Sequence, residues 1–145
     1  MADVRMIDID GELWNIKDRD AREKVATIEE NISTQNLKDV QITMKDGYTC
    51  DLIRITNHYK VGKIHFAFIR IQNLSGAGVG TTRTVHIAST DLIPVSYTTF
   101  IARDYNAPAT IRCSLGVDGS IILDESNGIK DGDNMILGEI IFAEP

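Results

Sequence analysis

Five residues in one irregular stretch combine ring faces with hydrogen-bonding groups: Tyr97, Arg103, Asp104, Tyr105 and Asn106. Arginine and aspartate can fix hydroxyls while a tyrosine ring covers the apolar face of a sugar, so this stretch is the candidate ligand site. The same residues also suit an ordinary polar loop held down by its tyrosines. The single tryptophan, Trp14, lies far from them in the sequence.

The other reactive residue types form no recognisable constellation. His58, His65 and His86 lack metal-ligand spacing, and His65 and His86 fall within strand patterns that suit satisfied, partly buried imidazoles. Cys50 and Cys113 have no CxxC spacing and read as free, buried thiols. Gly76, Gly78 and Gly80 suggest a phosphate loop, but Thr81 stands where that fingerprint needs its third glycine. No lysine precedes Thr81 or Thr82, and no helix pattern follows, so a flexible loop between strands is expected. Asp131-Gly132-Asp133-Asn134 begins like a calcium loop, but Met135 takes the third ligand position and no glutamate follows at the twelfth; a polar turn is expected. Serines, acids and histidines are too scattered for a triad. The expectation is a chain with no catalytic residues, no metal and no cofactor.

Most of the residues that must position the candidate site read as β-structure. Short β-rich runs lie at VQITM, CDLIRIT and RTVHIA, and KIHFAFIRIQ (63–72) is the longest. Asp46-Gly47 and Asp118-Gly119 are hairpin signals. The long run carries Ile64, Phe66 and Phe68 on one side and Ala67, Ile69 and Ile71 on the other, so it predicts a central strand covered on both faces, by a second sheet and by a neighbouring subunit. The segment 89–108 reads as irregular, and NMILGEIIFA (134–143) reads as a closing strand. Some eight short strands predict a mainly β sandwich or jelly-roll-like head over residues 35–145.

Residues 1–34 differ. A short extended arm or hairpin around Asp10-Gly11 leads into a polar helix that begins between Asn15 and Asp18 and ends at Ser33, Thr34 and Asn36. Trp14, Ala21, Val25, Ile28 and Ile32 follow the alternating four-and-three spacing of a heptad seam, narrower than the apolar face of a lone globular helix. With Val25 at a and Ile28 at d, Lys24 and Glu29 take g and e positions suited to an interchain ion pair in a parallel coiled coil. β-Branched residues at both a and d favour trimers or higher states over dimers. Two heptads are too short to associate unaided, so the head must contribute. The alternative is one amphipathic helix packed on its own β domain.

Hydrophobic content is 43%, charged content 25% and net charge −6, with a pI near 5.0 and a mean hydropathy of −0.10. No basic stripe neutralises phosphates, which argues against nucleic acid and anionic membrane surfaces as partners. No apolar run reaches the roughly 20 residues that span a bilayer. MADVRMIDID is not a secretory signal, so synthesis in a cytoplasm without a signal peptide is expected.

Two stretches together resemble tail-fibre and baseplate receptor-binding proteins of phages and prophages of Gram-positive bacteria. LWNIKDRDAREKVATIE (13–29) resembles the arm-to-helix junction near the start of such proteins. SLGVDGSIILDESNGIKDGDNMILGEIIFAEP (114–145) is similar to the last hairpin and final strand of their heads, and VGKIHFAFIRI (61–71) fits a long strand after a short turn. The resemblance implies a homotrimer in the virion tail with a helical neck and a jelly-roll head. It further implies adhesion to a bacterial cell-surface saccharide or wall polymer, and contacts with other tail proteins through the N-terminal arm. The alternatives are a structural tail component without a ligand and a glycan-degrading, tailspike-like hydrolase working with two carboxylates.

Overall fold

A computed structural model of the chain describes residues 40–145 in full and the backbone of 5–9 and 12–16. It separates residues 1–34 from a second unit, 35–145. In the first unit, β1 (Arg5–Ile9) and β2 (Glu12–Ile16) form an antiparallel hairpin flanking Asp10-Gly11, with Ile7 opposite Trp14. Trp14 therefore stands in extended backbone. Ala21, Lys24, Val25, Ile28, Glu29 and Ile32, with the helix they would share, lie outside the described residues.

The second unit carries ten strands: β3 (Ile42–Met44), β4 (Tyr48–Thr49), β5 (Leu52–Val61), β6 (Ile64–Gln72), β7 (Ser75–Gly76), β8 (Val85–Thr90), β9 (Thr98–Asp104), β10 (Ala109–Leu115), β11 (Ser120–Glu125) and β12 (Met135–Ala143). Eight of them form one antiparallel sheet in the order β3-β8-β11-β10-β9-β12-β6-β5. The mainly β class is as the sequence predicts. The two packed sheets of a jelly roll are not seen: these eight strands hydrogen-bond continuously from one edge to the other. A Greek key survives within this order, because β9, β10 and β11 are successive hairpin neighbours and β8 returns beside β11.

One sheet can bury a core only by curling on itself. Alternation on each strand supplies the inner face, with Ala67, Ile69 and Ile71 from β6, Phe100 and Ala102 from β9, Ile111, Cys113 and Leu115 from β10, and Ile136, Ile140 and Phe142 from β12 all buried. The edges β3 and β5 are joined by residues 45–51. Within it β4 pairs with β7, which follows β6, so the sheet is nearly closed. Among the described residues there is no helix.

The sequence signals for turns fare unevenly. Asp118-Gly119 closes the β10–β11 hairpin as expected, with Gly119 at φ +80°. Asp46-Gly47 turns the chain, Tyr48 N donating to Lys45 O at 3.1 Å, yet joins no hairpin: β3 pairs with β8 and β5 with β6. The stretch read as irregular contains β9, concealed because its inward positions include the small Ala102 and the polar Asp104.

Within the single chain, long β6 is covered on one side: His65, Ala67, Ile69 and Ile71 are buried, whereas Ile64 is 41% exposed and Phe66 and Phe68 are half-buried. One expectation about exposure is corrected, since His86 is exposed.

Candidate functional site

The β9–β10 connection builds an open cleft of about 530 Å³. Its lining runs from Arg103 to Thr110, so Arg103, Asp104, Tyr105 and Asn106 all meet there. Register explains the convergence. Asp104 pairs with Ala109 at the end of the ladder, and the four residues between them loop outward. Tyr97 lies elsewhere, its hydroxyl donating to Asp124 Oδ1 at 2.9 Å. Ser114 also donates to Asp124, and Thr99 and Ser114 share a hydrogen bond at 3.1 Å. That polar cluster fastens β9, β10 and β11 together.

Inside the cleft, side chains divide between anchoring and display. Asp104 is 5% exposed, and its Oδ1 accepts from Asn106 N and Met135 N, each at 2.9 Å. These bonds shape the turn and fix it to the start of β12, assisted by Tyr105 N donating to Met135 O at 2.8 Å. Asp104 Oδ2 is buried with no hydrogen-bond partner among the described residues. Asn106 Nδ2 reaches Asp133 Oδ1 at 3.4 Å, and Asp133 pairs with Lys130 at 2.8 Å. The Lys130 ammonium, with a smaller contribution from Asn106, holds the Asp133 carboxyl below the usual carboxylate range. Tyr105 is 64% exposed and Arg103 is exposed. The arrangement offers a free ring face, a guanidinium and an amide, while Asp104 shapes the turn from below. It can hold a polar, hydroxyl-bearing ligand.

The glycine loop is tied down, contrary to the flexibility expected of it. Leu74 N donates to Asn134 Oδ1, Gly76 N to Asp131 Oδ1 and Gly80 N to Ser126 Oγ, each at 3.0 Å. The residues that looked like half a calcium loop thus work as a polar clamp, with Asn134 wholly buried. Among the described residues no group of three or more acids, histidines and cysteines could hold a metal ion. Cys50 and Cys113 are free, and burial pushes the Cys113 thiol up to about 12.

A second polar group, which the sequence spacing does not reveal, lies on β5, β6 and the chain end. His58 Nε2 meets His65 Nδ1 at 2.8 Å, His65 Nε2 meets Glu144 Oε2 at 2.9 Å, and Lys60 reaches Glu144 at 3.1 Å. A bulge between Thr56 and Tyr59, with Asn57 at φ 51°, aims His58 inward. Burial, then the neighbouring His65, hold the His58 pKa below the ordinary histidine value, against the opposing pull of Asp91.

Fold and cleft together define a mainly β head with a polar concavity suited to binding. No protein-family model and no curated protein sequence matches the chain. In structure it is similar to the receptor binding protein (gp15) of Listeria phage PSA, with 20% sequence identity, 86% of this chain and 74% of that chain covered, and a TM-score of 0.49. No helix among the described residues is long and apolar enough to cross a membrane.

Proposed function

We propose that this chain is a phage tail-associated receptor-binding protein that adheres to a bacterial surface saccharide or wall polymer through a trimeric head. The observation that carries the adhesion reading is the meeting of Arg103, Asp104, Tyr105 and Asn106 in one open cleft. The exposed Tyr105 ring stacks on a sugar face, and Arg103 and Asn106 take hydroxyls. The phage assignment rests on the sequence resemblance at 13–29 and 114–145.

The trimer is supported from two directions. The heptad seam of Ala21, Val25, Ile28 and Ile32 suits three parallel helices. The outer face of β5, β6 and β12 presents Tyr59, Val61, Ile64 and Ile141 at 37%, 44%, 41% and 51% exposure, with Tyr59 stacked on Phe66 at 5.0 Å. An apolar patch of this kind on a charged protein marks a surface that a partner covers, and two further copies fill that role. Three weak sites on one particle then bind repeated ligands with an avidity far above that of a single site. The N-terminal arm joins the head to other tail proteins, which places the chain in the virion.

Pull-down of the labelled protein by bacterial cell walls tests this reading. Tyr105→Ala and Arg103→Ala should each reduce retention at least several-fold while leaving the melting temperature unchanged. Full retention by both variants would sink the cleft as the adhesion site.

A further inference from the structure

Arg54, Arg70 and Arg103 stand in one row across the outer face of the sheet. Arg54 pairs directly with Arg70, and Leu137 lies opposite Arg70 on one side and Arg103 on the other. With neighbouring strands about 4.8 Å apart, the row spans about 15 Å. Like charges directly opposite one another on neighbouring strands are unfavourable, and a chain of net charge −6 has no general excess of arginine to explain them. Among the described residues the ion pairs are Lys60–Glu144, His65–Glu144 and Lys130–Asp133, so none neutralises the row. Glu139, beside Phe68 on the same face, makes no ion pair with it. Arg70 Nε is buried without a partner, and the Arg70 Nη2 contact is a long one of 3.9 Å to Met135 Sδ.

We infer that Arg54 and Arg70 form a binding site for an oxyanion, a phosphate or carboxylate group, and that Arg103 connects this site to the cleft. Two planar guanidinium forks from adjacent strands can converge on one oxyanion and donate to it in pairs. Such a group removes the repulsion between the two side chains and gives the unpaired guanidinium groups an acceptor. Arg103 belongs both to the row and to the cleft lining, so a ligand seated against Tyr105 has its anionic substituent on the side toward β5. The Arg54–Arg70 site does not depend on the adhesion reading, because it would bind a free oxyanion even if the cleft held no saccharide.

The test is a titration of the full chain with inorganic phosphate, and separately with acetate, in chloride buffer of constant ionic strength, followed by backbone amide NMR. Phosphate should shift resonances around Arg54, Arg70 and Leu137 saturably, and the double variant R54Q/R70Q should bind at least tenfold more weakly with its remaining spectrum intact. The R54K/R70K variant, which keeps the charge and loses the fork, should fall between the two. A saturable response to phosphate alone identifies a phosphate site; an equal response to acetate widens it to carboxylates. Shifts that do not saturate, or that survive R54Q/R70Q, overturn the inference. So does a drop in oligomer mass in R54Q/R70Q without any phosphate response in the parent, since the arginines would then be holding another copy.

Discussion

Gly119 shows how one residue carries a turn. Its φ of +80° disfavours any side chain, and a Cβ there would lie 2.2 Å from Thr90 O, which accepts no such approach. Gly119→Ala should therefore cost on the order of 2–3 kcal/mol, measured by denaturant unfolding, whereas Gly47→Ala meets open space and only the φ strain. The titrating residues make a second prediction. His58 has a folded pKa below its unfolded value, so its neutral form is the one the fold accepts; stability is intact above about pH 6.5 and is lost as pH falls toward the folded pKa. Glu144 is held low by its hydrogen bonds to His65 and then Lys60, so its contribution is present at neutral pH and disappears at more acid values. The melting temperature should fall between pH 7.5 and 5.5, and His58→Gln should flatten that part of the profile. An unchanged slope in the variant would remove His58 from the account.

Elements are held in place by a few buried polar groups as much as by the ladder. Asn134 ties two loops at once, its Nδ2 donating to Leu74 O at 2.9 Å and to Lys130 O at 2.8 Å while its Oδ1 accepts from Leu74 N. Asn134→Ala leaves Leu74 N buried and unsatisfied, while Leu74 O and Lys130 O keep their bonds from Gly132 N and Asp133 N, so it should cost about 1–3 kcal/mol in unfolding experiments. A change under 1 kcal/mol would mean that water replaces the amide. This clamp also shows where the sequence was readable. The alternating runs of β6, β8 and β12 and the Asp118-Gly119 turn are local signals, and their elements follow from them. Sheet order is not local: nothing in β3 itself says that it pairs with β8 and not with its neighbour in sequence. The cleft was legible because Arg103 through Asn106 are contiguous and one turn gathers them. Tyr97, nearby in sequence, went to Asp124 because β9 carries it to the other end of its strand. The His58–His65–Glu144 chain was illegible, since a bulge and the chain end bring it together.

At the scale of the whole molecule, the proposed function uses two surfaces. In that reading the apolar outer face around Tyr59, Ile64 and Ile141 packs against other copies of the head, and the open cleft takes the ligand. Ile141→Lys should weaken association through the head, and Ile28→Asp should weaken it through the helical seam by placing unpaired charges at the axis; each is checked by the mass in solution at fixed concentration. Adhesion by avidity requires that several heads travel as one particle before any target is met. The absolute mass of the intact chain, by light scattering behind a sizing column, tests that requirement most directly. The account predicts three times the 16.1 kDa chain mass. A particle of 16.1 kDa at all concentrations would contradict it, leaving a monomeric β head with a single cleft and no multivalent attachment.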